Sequence, residues 1–111
     1  MDVVTVDIAK DFSPFPAGRF VSDGPFPGEK FRSVLVGLLA KSRTVVVKMD
    51  GTIGYGSSFL EEAFGGLVRL EGFSASDLRK RLRLESSDPA FSNEAWGYVN
   101  DAKPDAAAGA R

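Results

Sequence analysis

The run Thr44-Val-Val-Val-Lys-Met-Asp-Gly-Thr-Ile-Gly-Tyr-Gly-Ser-Ser-Phe-Leu-Glu-Glu-Ala-Phe-Gly-Gly-Leu67 decides the fold. Its opening is nearly continuous in apolar residues and β-branched through Val45, Val46 and Val47. That pattern predicts a strand over 43–49, interior to a sheet and covered on both faces. Asp50-Gly51 ends it. Gly51, Gly54 and Gly56 then turn the chain into a helix expected over 58–70, with Leu60, Ala63, Phe64 and Leu67 on one stripe. A strand, a glycine loop and hydroxyls at a helix start make a corner where a phosphate can be held or a phosphoryl group attached.

Outward from this corner the pattern continues. Residues 29–41 read as an amphipathic helix through Phe31, Val34, Leu35, Leu38 and Leu39. Residues 3–8 alternate as a short strand, and Leu82-Arg-Leu-Glu85 as another with one solvated face. A short helix is expected over 76–81. Asp88-Pro89 is an N-cap followed by proline at the first helical position, so a further helix is expected to about Ala102, with Phe91, Ala95, Trp96 and Val99 on its core side. Between the first strand and helix lies a loop over 11–28 with Pro14, Pro16, Pro25 and Pro27, and a short strand expected over 19–22. Phe12, Phe15, Phe20 and Phe26 predict that this loop lies down on the core. Residues 103–111 are polar and small and are expected to be disordered. The alternation of strands and helices implies one α/β domain over 1–102 with right-handed crossovers.

Composition narrows the function. The chain has 111 residues, enough for one core. A net charge of −1 creates no global attraction for nucleic acid or an anionic membrane. No apolar run approaches a bilayer span of roughly 20 residues, and the N-terminus lacks the pattern of a signal peptide. Cytoplasmic localisation is the expectation, and the absence of cysteine agrees with it. Without His or Cys, Ser-His-Asp and Cys-His sites cannot form within the chain, nor can Cys/His zinc sites. A binding or regulatory module is therefore expected, rather than an enzyme, with no cofactor.

The two serines have competing readings. Ser58-Phe-Leu-Glu61 fits a capping box, with Ser58 as the N-cap and Glu61 reaching back. Gly51 to Ser58 also approaches the G-x-x-x-x-G-K-[ST] phosphate loop, but the lysine position holds Ser57, and that lysine supplies the charge facing the phosphates. The glycines do not follow the dinucleotide order either. Asp50, Glu61 and Glu62 lack a spacing that fixes a magnesium site. Arg79-Lys-Arg81 with Arg83 reads as a solvated face, and Trp96 as core.

Gly28-Glu-Lys-Phe-Arg32, Asp50-Gly51 and above all Ser57-Ser-Phe-Leu-Glu-Glu-Ala-Phe-Gly-Gly-Leu67 resemble the STAS-like domain of unknown function. That family is similar to the STAS domains of sulphate transporters and bacterial anti-sigma factor antagonists. The resemblance covers about residues 3–100. It implies a small mixed sheet of four or five strands packed with about three helices. In the antagonists a strand-to-helix loop carries Asp-Ser-Ser-Gly-Leu, and a partner kinase phosphorylates the second serine. That serine falls on Ser58 and the first on Ser57; Leu60 matches the leucine, while Gly56 replaces the aspartate and Phe59 the glycine.

The resemblance thus implies a non-enzymatic signalling module whose partner is a histidine-kinase-type ATPase. The expected partner surface is Gly54, Tyr55, Gly56, Ser57, Ser58, Glu61, Glu62, Gly65 and Arg69, with Ser58 and Ser57 as phosphorylation candidates. A phosphate there would add about −1.5 to −2 charges next to Glu61 and Glu62, so it is expected to perturb the first turn. Gly65 and Gly66 cost helix propensity and signify either close helix–sheet packing or a flat groove for a partner. The alternative from another class is a small-ligand or nucleotide sensor built on the same glycine loop.

Overall fold

The computed structural model describes residues 2–105. Three strands, β1 (Val3–Asp7), β2 (Thr44–Lys48) and β3 (Leu82–Glu85), form a parallel sheet in the order β1-β2-β3. The helices are α1 (Gly28–Lys41), α2 (Ser57–Leu60), α3 (Gly66–Arg69), α4 (Ala75–Arg81) and α5 (Pro89–Asp101). The sheet expected to have four or five strands has three among the described residues. The segment expected to add a strand at 19–22 instead makes a 3-10 turn at Val21–Asp23.

Register explains the core. Val4, Val45 and Leu82 align in one row and Val6, Val47 and Leu84 in the next. Alternate residues of a strand share a face, so these rows make one apolar face. Val45 and Val47 are completely buried on it, and Phe31, Leu35, Leu60, Phe64, Leu67, Leu78 and Val99 complete the same core. The opposite face carries Thr5, Val46 and Arg83 in one row and Asp7, Lys48 and Glu85 in the next. Thr5, Lys48, Arg83 and Glu85 are exposed there. Cover on both faces of β2 is thus not found. Val46 is 8% exposed because β2 is the central strand, flanked by β1 and β3.

The helix expected over 58–70 is three segments. A π-helical turn, Glu61–Gly65, separates α2 from α3. This composite rod is buried on nearly every side from Phe59 to Val68. It packs against α1 on one flank and α5 on the other. Gly28 at the start of α1 permits that approach: a Cβ there would lie 2.5 Å from the Phe59 carbonyl oxygen.

Asp88 accepts from the Ala90 N–H at 3.0 Å with Pro89 next, starting α5 as expected. The loop before α1 lies down only in part. Phe12 and Phe26 meet edge-on at 5.6 Å, and Phe12 reaches Phe31 at 5.1 Å, whereas Phe15 and Phe20 are exposed. Arg79 sits 4.7 Å over the half-buried Trp96 ring, tying α4 to α5. Asp105 donates its N–H to the Arg69 carbonyl at 2.8 Å. Residues 106–111, part of the tail expected to be disordered, lie outside the described residues.

Candidate functional site

The 51–58 loop is built from a few fixed points. Gly51 and Gly54 adopt φ of 95° and 128°, which side-chain-bearing residues rarely tolerate. A Cβ on Gly51 would also come within 3.0 Å of the Ala9 Cβ. The Gly54 N–H donates to Thr52 Oγ1 at 3.2 Å, and the Ile53 N–H to the Pro14 carbonyl at 3.0 Å. Tyr55 is the anchor. Its hydroxyl donates to the Met49 carbonyl at 2.6 Å, and its ring packs on Phe59 and Phe91. Burial pushes its pKa up to about 12, with the Asp50 and Asp7 charges acting in the same direction and Thr52 opposing.

Beyond this anchor the loop is open. Gly56, Ser57 and Ser58 are exposed. Ile53 is 75% exposed and Phe15 60%. The Ile53–Pro14 hydrogen bond holds these two apolar side chains on neighbouring strands of loop. The sequence reading leaves out Ile53 and lays Phe15 on the core; the signal for Ile53 is an isoleucine set between loop residues Thr52 and Gly54.

The capping box is not formed. Gly56 is the N-cap, so Ser57 and Ser58 lie inside the first turn, and no side chain caps it. Glu61 does not reach back. It is held by Arg19 and Arg69. Ser57 lies on the side of the Tyr98 hydroxyl, which donates to Glu94 at 2.8 Å. The hydrogen bond to Glu94 is the main cause raising the Tyr98 pKa, and Ser57 works against it.

One turn further on, the environment reverses. Glu62 is 2% exposed, yet ionic. Its carboxylate takes Arg32 on one oxygen, and on the other Arg19 at 2.9 Å and Arg69 at 3.0 Å. Arg32 also donates to the Glu62 carbonyl at 3.2 Å and to Glu71 at 3.0 Å. Three arginines thus balance Glu61, Glu62 and Glu71. Among the described residues no buried side-chain polar atom lacks a partner, which is the condition under which a buried ionic cluster is tolerated.

Backbone chemistry aims Arg19 into this cluster. Asp23 accepts from the N–H groups of Arg19 and Phe20 at 3.0 and 2.8 Å, and these bonds hold its carboxyl below the usual range. The hydrogen bond that Arg19 donates to Glu61 raises the Arg19 pKa, burial opposing.

The paired glycines serve this packing. A Cβ on Gly65 would lie 2.8 Å from a Glu61 oxygen and 3.4 Å from Tyr98; one on Gly66 would lie 2.9 Å from Arg32. The sequence readings are helix–sheet packing or a flat partner groove; the structure instead sets Gly65 against Tyr98 of α5 and Gly66 against Arg32 of α1. Glu62 and Gly65, expected on the partner surface, are interior. Arg69 and Glu61 are half-buried and engaged in ion pairs. The expected repulsion between a phosphate and Glu61 or Glu62 is correspondingly reduced, because arginines match both carboxylates. The exposed members of the expected surface are Gly56, Ser57 and Ser58, with Gly54 and Tyr55 half-exposed beside them. Arg19 and Arg32 had not been singled out. Arg32 had one signal, its place beside Phe31 and three residues before Leu35, on the apolar stripe.

Asp50 lies elsewhere. Its carboxylate accepts from the Ser87 N–H at 3.0 Å and the Ser87 hydroxyl at 3.1 Å. It helps line a cleft of about 400 Å³ at the carboxyl ends of the strands, with Asp7, Lys48, Glu85, Ser86 and Ser87. Ligands of open parallel sheets bind at that end, but this lining is predominantly acidic. Asp50 is thus separated from Glu61 and Glu62, and among the described residues no grouping of His, Cys, Asp and Glu is arranged to hold a metal ion.

This geometry is that of a small α/β domain with a rigid core and an exposed serine-bearing loop. A family model described as a STAS-like domain of unknown function matches residues 27–90. The chain belongs to that family. The matched region runs from the start of α1 to the start of α5 and contains the 51–58 loop, Arg32, Glu61, Glu62 and Arg69, but not β1 or Arg19. Comparison with curated proteins and with solved structures gave no match. No helix among the described residues is long and apolar enough to cross a membrane.

Proposed function

We propose that this STAS-like domain is a non-enzymatic cytoplasmic signalling module that docks a partner protein through the 51–58 loop. The supporting observation is the exposed set of Ile53, Phe15, Ser57 and Ser58, carried on a loop fixed by Tyr55 and by the Pro14–Ile53 hydrogen bond. Exposed apolar side chains on a rigid loop lose little entropy on docking. The resemblance to anti-sigma factor antagonists supports a histidine-kinase-type ATPase as the partner, with Ser58 or Ser57 receiving the phosphoryl group. Ser58 is favoured, because Ser57 sits on the side of Tyr98 and its acidic partner Glu94, which would oppose a phosphate. Gly56 in place of the antagonists' aspartate means that recognition must come from other residues, and Ile53 and Phe15 are the ones available.

The alternative, a nucleotide sensor, gains no support from the cleft at the strand ends. Asp7, Asp50 and Glu85 would repel a nucleotide's phosphates.

The test is affinity purification of the tagged protein from its own host, with phosphopeptide mass spectrometry. The expected outcome is a stoichiometric ATPase, lost in Ile53→Asp, and phosphate on the peptide bearing Ser57 and Ser58. Absence of both, with a rise in melting temperature when nucleotide alone is added, would replace the module by the sensor.

A further inference from the structure

The two ends of the sheet carry opposite charge. At the amino ends of the strands, Lys41, Arg43 and Arg81 line a cleft of about 430 Å³ with Asp2. Arg81 is committed there: it donates to the carbonyls of Leu39, Ser42 and Arg43 and so seals the carboxyl end of α1. Its neighbours are not all committed. Arg43, Lys80 and Arg83 are exposed, and none has a hydrogen-bond or ion-pair partner for its side chain among the described residues. Parallel pairing of β2 with β3 brings Arg43 beside Arg81, distant in sequence, whose Nε donates to the Arg43 carbonyl at 3.1 Å; Arg83 lies opposite Val46, further along the strand. Val3, 52% exposed, adds an apolar side chain at this end.

At the carboxyl ends the cleft of Asp7, Asp50 and Glu85 has Lys48 as its one cation. Glu85 is exposed and its carboxylate has no partner among the described residues. Ile53 and Phe15 project from the adjoining loops. Each end thus offers a shallow cleft with an excess of one sign of charge, Lys48 being the minority charge at the acidic end and Asp2 at the basic end, together with exposed apolar groups. On a chain of net charge −1 this is polarisation, not a global field.

We infer that the domain associates with a second copy of itself head to tail, the acidic carboxyl end of one sheet seating on the basic amino end of the next. The complementarity of the two ends identifies the occupant: each surface is matched in charge by the other on the same chain. Such a contact is heterologous, so it does not stop at two copies; it closes into a ring or continues as a filament. Because the charges lie at a solvated surface, association is weak, fast and strongly dependent on salt. This inference is independent of the kinase-partner reading. It does share Ile53 with it, so self-association and partner docking would compete.

Sedimentation velocity of the full chain tests it, from roughly 10 to 500 μM at about 50 and 500 mM NaCl, where screening lengths differ severalfold. The expected result at low salt is an average mass that rises with concentration past that of a dimer, and returns towards the monomer at high salt. Arg43→Glu with Arg83→Glu blocks the basic end, and Ile53→Lys with Glu85→Lys blocks the acidic end. All four positions are exposed, so both variants should keep the wild-type melting temperature. Each variant alone should remain monomeric even at low salt. Mixed in equal amounts, they should stop at a one-to-one heterodimer, because each retains one good end.

A wild type that stays monomeric throughout would overturn the inference. So would a dimer that resists salt and both sets of charge reversals, or a mixture that fails to pair. A monomeric wild type that binds an oligolysine peptide through Glu85 and Ile53 would instead assign the acidic end to a foreign basic partner.

Discussion

Ser57-Ser58 and Glu61-Glu62 are separated by two residues and live in opposite surroundings. The serines are exposed at the end of a glycine loop that Tyr55 anchors to the core. The glutamates are drawn into a cluster with Arg19, Arg32 and Arg69, and Glu62 is as buried as the apolar core. The change falls where the α2 turn gives way to a π-helical turn. Single π turns of this kind occur inside α-helices, frequently at functional sites. One continuous surface in the sequence reading is thus two regions: an exposed rim able to meet a partner, and a lock that keeps the rim's platform rigid.

The sharpest way to break this comparison is to remove the lock. Glu62→Ala takes from Arg32 the buried one of its two carboxylate partners, leaving only Glu71, and should cost about 3–5 kcal/mol in urea unfolding. A loss below about 1 kcal/mol would show that the cluster is hydrated and not a lock. Gly28→Ala comes next, at about 1–3 kcal/mol, because its Cβ would press on the Phe59 backbone and force α1 off the rod. Equal stability of this variant would mean that the two helices part easily.

Tyr55 sits on the boundary between the regions, and its effect depends on pH. An unfolded tyrosine ionises near 10, while burial raises Tyr55 to about 12. The stabilisation from keeping it neutral is therefore complete below pH 10 and is lost as pH rises from about 10 to 12. Tyr55→Phe should remove that alkaline decline and cost about 1 kcal/mol at neutral pH through the lost bond to Met49. An unchanged decline would place its origin elsewhere.

The smallest expected effect is on the rim. Ser58→Asp and Ser58→Ala should each change stability by less than about 0.5 kcal/mol, since Ser58 caps nothing and is exposed. Amide exchange across residues 57–63 should be nearly unaltered in both. Deprotection reaching Glu62 would show that the rim and the lock are one unit.

The elements were legible because their signals are local. The β-branched run of β2, the stripes of α1 and α5, and the Asp88-Pro89 cap each follow from spacing within a few residues. The π turn was not legible: the apolar stripe of Leu60, Ala63, Phe64 and Leu67 is read as a continuous helix, and nothing in it marks the widened turn. The capping box failed for a related reason. Ser58-x-x-Glu61 is a valid local pattern, but Glu61 finds stronger charged partners outside its own helix. The strand count failed because the resemblance described a family while the described chain supplies three strands.

The sequence by itself determined that this is a small α/β domain, where β1, β2, β3, α1 and α5 lie, and that histidine and cysteine chemistry is absent from it. It also determined that a serine pair at a helix start would follow a glycine loop. Only tertiary structure decided which neighbours of those serines are surface. The loop residue Arg19 lies 42 and 43 positions from Glu61 and Glu62, and Arg32 lies 30 from Glu62. Charge neutralisation across such separations depends on how helices and loops pack, and no periodicity along the chain encodes it. The same holds for the charge at the ends of the sheet, where parallel pairing gathers residues that the sequence keeps apart.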